Sequence, residues 1–179
     1  MAIVSTDIKF WLTGAASVDN PQTDPNASLG GNRSSTEMVT GQLNNLFDDI
    51  SGAEAESGDT EYRGIIIQNT HASLTLYNAK AFLSVQPNGS RATKESIQIA
   101  TDTVWLYGGD HIDAIATEND APSGAGAFSA PATYATGLAL GDLGPNGQMG
   151  LWIKRVVPAS TEASASANFT LVVQGDTQA

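Results

Sequence analysis

Residues 58–85, GDTEYRGIIIQNTHASLTLYNAKAFLSV, predict two β-strands separated by a short polar turn. Within YRGIII, residues 62–67, the even-numbered positions fall on one face of an extended chain and the odd-numbered positions on the other. After the polar break at residues 68–71, alternation resumes at Leu74 and Leu76 and continues to Val85. Because little in this stretch favours a helix, it predicts the core of a β-sandwich.

The chain has 179 residues, enough for one domain with a full hydrophobic core. We therefore expect residues 1–179 to form a single all-β domain, an antiparallel β-sandwich of the jelly-roll or immunoglobulin-like type with long loops. About seven to nine strands are typical of such sandwiches. The other segments with strand patterns are 8–13, 94–99, 103–107, 112–115, 149–157 and 169–174. We expect the last two of these to pair with each other and close a sheet.

Two long segments are predicted to lack regular structure. Residues 15–35 are rich in Pro, Gly, Asn, Asp and Ser, a composition that predicts an extended loop or arm. Residues 119–136 are rich in Ala, Gly, Ser and Pro and predict an irregular excursion. Small residues of this kind suit either close contact with a neighbouring chain or a mobile surface loop.

One short segment has helical spacing. Leu43, Leu46, Phe47 and Ile50 recur at intervals of three or four residues, which predicts one or two helical turns. The segment that follows, residues 51–60, contains three acidic residues and is predicted to form a loop. Strong turn signals are present in QPNG at 86–89 and LGPNG at 143–147.

The composition excludes several classes of partner and chemistry. With 19 acidic and 8 scattered basic residues, the chain has a formal net charge of −11, so we expect no nucleic-acid partner. The absence of cysteine excludes disulfides, thiolate nucleophiles and cysteine zinc sites. No apolar stretch approaches the ~20 residues that span a bilayer, and the N-terminus lacks the pattern of a secretory signal. We expect synthesis in a cytoplasm and no membrane association.

No residue pattern predicts catalysis. The motifs G-x-S-x-G, H-E-x-x-H and the phosphate-binding glycine loop do not occur in the sequence. Asp48, Asp49, Glu54 and Glu56 offer carboxylate pairs for glycoside cleavage, but their segments lack the apolar setting that raises a carboxyl pKa. We therefore predict that the protein is not an enzyme and binds no cofactor.

Two groups of residues can be considered as metal ligands. His111 and Asp113 alternate on one predicted strand, but the sequence indicates no third ligand. A short loop also carries four oxygen-bearing side chains: Asp19, Asn20, Asp24 and Asn26. Asx-turns explain these four residues without an ion, so we predict no metal site and keep calcium as the alternative for this loop.

Aromatic residues raise the alternative of carbohydrate binding. Trp11, Trp105, Trp152, Tyr77 and Tyr107 would form a platform for sugars if several of them faced outward on one sheet. Sandwich cores ordinarily bury their tryptophans, so core packing is the prediction.

The order of short motifs along the chain forms a recognisable series. The motifs are IKFWLTG, DPNASLGG, SSTE, NNLFDDISG, GDTEYRGIIIQNTH, LTLYNAKAF, ENDAPSG, GLALGDL and GLWIKRVV. This series resembles a group of small virion structural proteins of tailed bacteriophages, and the resemblance spans nearly the whole chain. It implies a virion component assembled in the host cytoplasm.

The leading expectation from this resemblance is a capsid decoration, or cement, protein that binds the outer capsid lattice. Its partners would be the major capsid protein or other virion proteins, and it would form a homo-oligomer, with a trimer favoured. The alternatives are a neck, tail or baseplate subunit and a tail-associated carbohydrate-binding module. The predicted interface residues are Asp19, Asn20, Pro21, Asp24, Pro25, Asn26, Leu29, Phe128 and Tyr134.

Overall fold

The protein is an all-β sandwich-like domain with antiparallel sheets, as predicted. The computed structural model describes residues 2–87, 94–102, 111–161 and 167–177. The predicted strand at 103–107, with Trp105 and Tyr107, lies outside the described residues, and so do residues 88–89 of the predicted turn at 86–89.

The described residues contain nine strands and one α-helix. The strands are β1 (Ile8–Ala15), β2 (Gly30–Glu37), β3 (Asp59–Asn69), β4 (Leu76–Val85), β5 (Ser96–Thr101), β6 (His111–Ala114), β7 (Leu138–Leu143), β8 (Gln148–Val157) and β9 (Thr170–Thr177). The helix is α1 (Gly52–Ser57), and short 3-10 turns are formed by Ser5–Asp7, Pro25–Ala27 and Tyr134–Thr136. A six-stranded sheet has the order β5-β8-β3-β1-β2-β6, and a three-stranded sheet has the order β7-β4-β9.

Strand β3 is buried on both faces, and each face belongs to a different core. Ile65 and Ile67 pack into the core between the two sheets, together with residues of β4, β5, β7 and β8. Tyr62 and Ile66 pack on the other face, with Trp152 of β8. The period-2 alternation of residues 62–67 therefore predicted both faces correctly.

The six-stranded sheet curls into a half-barrel. Strands β1 and β2 lie between β3 and β6, yet Ile112 of β6 reaches across the concave side to Gly64 and Gly150. A Cβ atom on Gly150 would lie 2.1 Å from Ile112 Cγ2, and one on Gly64 would lie 2.5 Å from Ile112 Cδ1. The missing side chains at these two glycines thus leave the space that Ile112 occupies.

Asp102, directly after β5, connects the two edges of the half-barrel. Its Oδ2 accepts hydrogen bonds from the Asp113 amide at 3.1 Å and from Trp152 Nε1 at 2.8 Å. Asp102 also forms an isolated β-bridge with Ala125. Because Asp113 belongs to β6, this carboxylate joins opposite ends of one curled sheet.

The predicted pairing of the last two strands is wrong. Strand β8 pairs with β3 and β5 in the half-barrel, whereas β9 pairs with β4 in the small sheet. Alternation specifies which face of a strand is buried but not which strand lies beside it.

The predicted loop at residues 15–35 extends too far along the chain, because β2 begins at Gly30, within it. The sequence GGNRSS has low strand propensity, but β2 is held from both sides by β1 and β6. Gly30 has φ 83°, and a Cβ there would lie 1.8 Å from the Asp113 carbonyl oxygen. Tertiary pairing therefore overrides local propensity in this segment.

The helical turn predicted around residues 43–50 is absent, and α1 lies instead in the predicted acidic loop. Ser51 and Glu54 form a capping box that starts the helix. Leu46 and Phe47 are buried in the inter-sheet core without helical structure. Their spacing thus reflected burial, not a helix.

Residues 119–136 form no strand and connect the two sheets. Ser129 and Ile99 exchange backbone hydrogen bonds at the edge of β5, and the Pro131 carbonyl accepts from the Leu83 amide of β4. The predicted turn at 143–147 is confirmed, because the Gly147 amide donates to the Gly144 carbonyl at 2.8 Å.

The substitution Gly150→Ala tests the role of glycine inside the half-barrel. The new methyl group overlaps Ile112, so we expect a loss of about 1–3 kcal/mol in the free energy of unfolding, measured with urea. The double variant Gly150→Ala/Ile112→Ala should lose less than the sum of the two single variants. Gly52→Ala is the control, because no atom lies within 4 Å of its added Cβ. Additive losses would contradict the proposed contact.

Candidate functional site

A cluster of charged side chains occupies one end of the inter-sheet core. Glu61 is 1% exposed, Arg63 0% and Arg155 4%. Glu61 and Arg63 lie on the same face of β3 as Ile65, and Arg155 is the cross-strand partner of Glu61 on β8. Strand alternation therefore brings these charges into positions that are otherwise apolar.

Hydrogen bonds join this cluster to three surrounding segments. Arg155 Nε donates to Glu61 Oε2, and its Nη1 donates to the Asp48 carbonyl at 2.6 Å. Arg63 Nη2 donates to Glu118 Oε2 at 2.5 Å and to Asn26 Oδ1 at 3.2 Å. The cluster thus fixes the segments that contain residues 26, 48 and 118 against the sheet.

Phe47 lies close to both guanidinium groups. Its ring centroid is 4.8 Å from Arg155 Cζ and 5.3 Å from Arg63 Cζ. Cation–π attraction of this kind is worth about 0.5–2 kcal/mol, depending on desolvation. It accounts for the burial of Phe47 beside a charged group.

Two buried carboxyl groups near Arg155 have raised pKa values. Burial raises the pKa of Glu61 above its ordinary value, against the opposing effects of Arg155 and Arg63. Burial likewise raises the pKa of Glu95, and Arg155 opposes that shift. Glu61 Oε1 and Arg63 Nε have no hydrogen-bond partner among the described residues.

The burial of the charged cluster fits a structural role better than a catalytic one. A carboxyl group with a raised pKa is suited to general acid catalysis. Here, however, Glu61, Arg63 and Arg155 are at most 4% exposed, so a substrate would reach them only if the core opened. The cluster therefore acts as a buried network that ties loops to the sheet.

A second acidic group lies beside this cluster. Glu54, Asp59 and Glu61 each contribute one oxygen, and the three oxygens lie within 4.8 Å of one another. Sequence reasoning considered Glu54 for glycoside cleavage and did not identify Asp59 or Glu61. The signal that could have found them is the alternation of Asp59 and Glu61 on one strand face directly after a capped helix.

Two surface clefts border residues 37–39. The smaller cleft, about 140 Å³, is lined in part by Leu12, Pro25 and Met38. The larger, about 500 Å³, is lined in part by Ile8, Phe10 and Met38.

Three exposed apolar side chains lie at or next to these clefts. Val39 lines both clefts and is 56% exposed. Leu43, 81% exposed, follows the cleft residue Gln42, and Val4, 56% exposed, precedes the cleft residue Ser5. We call Val4, Val39 and Leu43 the apolar rim. Large exposed apolar groups beside a concave surface are typical of interaction sites.

Most of the predicted interface residues in the loop at 19–29 make contacts within the chain. Asp19 forms an ion pair with Arg33 at 2.5 Å, and Asp24 Oδ1 accepts from the Asn26 amide at 3.0 Å. Asn26 Oδ1 accepts from Arg63, as described above. The oxygens considered for calcium in this loop are therefore largely bound to protein groups.

The remaining four residues of that loop differ in exposure. Asn20 and Pro21 are exposed, and Asn20 forms an isolated bridge with Ser34 of β2. Pro25 lines the smaller cleft, and Leu29 is half-buried with its carbonyl bonded to the Ile115 amide.

The predicted interface residues outside that loop also contact their own chain. Phe128 lies 5.5 Å from Tyr62, measured between ring centroids. The Tyr134 hydroxyl donates to the Asn78 carbonyl at 3.1 Å, and Lys80 lies over the Tyr134 ring. Both rings anchor the segment 119–136 to the sheets.

The two described tryptophans pack in the concave side of the half-barrel. Trp152 is fully buried, and Trp11 is partly buried against the hydrophobic residues that surround Trp152. Trp11 Nε1 donates a hydrogen bond to Gln68 Oε1 at 2.8 Å. Tyr77 is half-buried on β4, in the other sheet. These three rings do not share one exposed face.

The residues at the start of β6 are not arranged as a metal centre. Asp113 accepts from Ser123 Oγ at 2.7 Å and from the Gly124 amide at 2.9 Å, and these hydrogen bonds lower its pKa. Nδ1 of His111 is buried without a hydrogen-bond partner in the described structure. Among the described residues, no group of three acidic or histidine ligands includes His111 or Asp113.

Comparisons with protein-family models, with curated proteins and with solved structures found no match to this chain. None of the helices in the described ranges has the length and apolar character needed to cross a bilayer.

The buried ion pair can be tested against a partly exposed one. We expect Glu61→Leu to lower the free energy of unfolding by about 3–5 kcal/mol, because it leaves Arg155 buried without its carboxylate. Glu61→Leu/Arg155→Leu should recover much of that loss, since both charges are removed together. Lys9→Met, which breaks the partly exposed pair with Glu37, should cost less than about 1 kcal/mol. Equal losses in Glu61→Leu and Lys9→Met would show that the buried pair has no special role.

Glu95 provides a pH test. Its folded-state pKa is raised above 4.5, so the folded protein binds this proton more tightly and stability falls as pH rises from 4.5 through the folded pKa. Glu95→Gln should therefore be more stable than the original protein at pH 7 and similar to it near pH 4. Urea unfolding at both pH values measures the difference, with Glu56→Gln as the exposed control. A Glu95→Gln variant that is less stable at pH 7 would reverse the assigned sign.

Proposed function

We propose that this protein is a structural component of a tailed-phage virion and that it decorates the outside of the capsid. The resemblance of its motif series to small virion proteins supports this role. The observation that carries the proposal is the apolar rim: exposed Val39, which lines two clefts, and exposed Val4 and Leu43, each next in sequence to a residue that lines one of them. An interaction surface of this kind requires no reacting group.

The apolar rim offers binding energy that the folded chain does not use. Burying apolar surface contributes roughly 25 cal/mol per Å², and Leu43 is 81% exposed. On a capsid lattice many copies bind the same repeated partner surface, so a modest apolar contact is repeated over the whole particle. The net charge of −11 favours solubility of the free subunit before it binds.

The rest of the chain supports a rigid scaffold. Loops at one end of the sandwich are held by Arg63 and Arg155, and segment 119–136 is bonded to both sheets. Such a scaffold loses little conformational entropy when it binds. Neck, tail and baseplate positions would use the same features and differ in the number of copies per particle.

Leu43→Ser and Val39→Ser test the apolar rim. Purified particles that lack the protein are incubated with each variant, and bound copies are counted by quantitative mass spectrometry. We expect the original protein to bind in a number on the order of hundreds of copies per capsid, and each variant to bind at least about tenfold more weakly. Val85→Ser, an exposed apolar substitution at the end of β4, should bind normally.

Two outcomes would contradict the proposal. Full occupancy by both rim variants would exclude the apolar rim as the contact, and a dozen or fewer copies of the original protein per particle would indicate a neck or tail position instead. Deletion of residues 15–35 is not a suitable test, because it removes most of β2 and the buried Ser28 that bonds to Gly64.

A further inference from the structure

Glu54, Asp59 and Glu61 form an acidic group where α1 leads into β3. Glu54 lies on α1, and Asp59 and Glu61 lie two residues apart on one face of β3. One carboxylate oxygen of each is within 4.8 Å of the other two. Carboxylates this close disfavour one another's charged form unless a positive charge lies among them.

Each carboxylate of this acidic group is oriented by a hydrogen bond to one of its oxygens. The donors are the Ser51 amide to Glu54 Oε2 at 2.6 Å, Asn119 Nδ2 to Asp59 Oδ1 at 2.8 Å, and Arg155 Nε to Glu61 Oε2. Within the described ranges, no residue donates a hydrogen bond to the second oxygen of any of the three. The side chains are therefore positioned, and one oxygen of each retains its lone pairs for another ligand.

The second oxygen of Glu61 points to a ligand independently of this clustering. Glu61 is 1% exposed, and its Oε1 has no hydrogen-bond partner in the described part of the chain. Arg63 Nη2 lies 3.9 Å from this oxygen, beyond hydrogen-bond distance. A buried acceptor without a partner is costly, and a bound cation would satisfy it.

The local charge also favours a cation. Ion pairs and Coulomb interactions couple Arg63 and Arg155 to Asp48, Glu61, Glu95 and Glu118. With Glu54 and Asp59, six carboxyl groups share this region with two guanidinium groups. Arg63 and Arg155 repel a bound cation, but the carboxyl groups outnumber these two guanidinium groups.

The size of the group suits calcium. Calcium binds oxygen at about 2.3–2.6 Å, so two oxygens on one ion lie at most about 5.2 Å apart. It also accepts irregular ligand geometry, whereas magnesium demands a near-ideal octahedron and dehydrates reluctantly. Oxygens within 4.8 Å of one another thus fall inside the calcium range. Glu54 and Asp59 are half-buried, so an ion reaches them from solvent.

We propose that Glu54, Asp59 and Glu61 bind a calcium ion, with water completing its coordination. The ion would tie α1 to the start of β3 and neutralise the acidic end of the inter-sheet core. This site is separate from the apolar rim, and its test does not depend on the virion role.

Calcium titration of the full chain, after treatment with a chelator, tests the site by isothermal calorimetry and by thermal unfolding. We expect heat of binding and an increase in Tm with calcium, and weaker effects with magnesium. Glu54→Gln and Asp59→Asn should each raise the Kd at least about tenfold while keeping the native circular dichroism spectrum. Glu56→Gln, an exposed carboxylate on the same helix, should bind calcium like the original protein.

A second control separates this site from the loop at residues 19–26. Asp24→Asn should leave calcium affinity unchanged, because Asp24 belongs to that loop and not to the proposed site. The proposal is overturned if millimolar calcium gives neither heat nor a change in Tm, if Glu54→Gln and Asp59→Asn bind normally, or if Asp24→Asn abolishes binding.

Discussion

Strand β3 carries seven consecutive buried residues, 61–67, and has to be covered on both faces. The small sheet covers one face, and the concave side of the half-barrel covers the other. Covering the second face requires the large sheet to curl until Ile112 reaches β3 and β8. That approach in turn requires glycine at positions 64 and 150. The curl, the glycines and the Asp102 link between the sheet edges therefore follow from one doubly buried strand.

The same strand explains why charges lie in the core. Continuing its alternation backward from Ile65 places Arg63 and Glu61 on the inter-sheet face. Arg155 lies opposite Glu61, and Phe47, close to both guanidinium groups, completes this end of the core. A buried ion pair adds little to stability compared with apolar packing, but here it also holds three loops in place. The predicted loop or arm at residues 15–35 is thereby attached to the scaffold through Asn26.

The sequence predicted the individual strands better than their arrangement. The strand patterns identified β1, β3, β4, β5, β6, β8 and β9. They missed β7, and they missed β2, whose GGNRSS sequence is held in place by its neighbours. They also paired β8 with β9, since alternation carries no information on strand order. The charged cluster depends on that order: Glu61 and Arg155 are 94 residues apart and meet only because β3 and β8 are adjacent. The acidic group of Glu54, Asp59 and Glu61 was hidden for a related reason, because the helix that carries Glu54 was predicted as a loop.

Native-state hydrogen exchange tests most directly whether β3 unites the two sheets into one cooperative structure. Amides of β3 and β8 in the half-barrel and of β4 in the small sheet should exchange only through global unfolding, with a common free energy equal to that from urea denaturation. If the β4 amides exchange at a clearly lower free energy while β3 stays protected, the small sheet unfolds separately and the doubly buried strand does not hold the domain together.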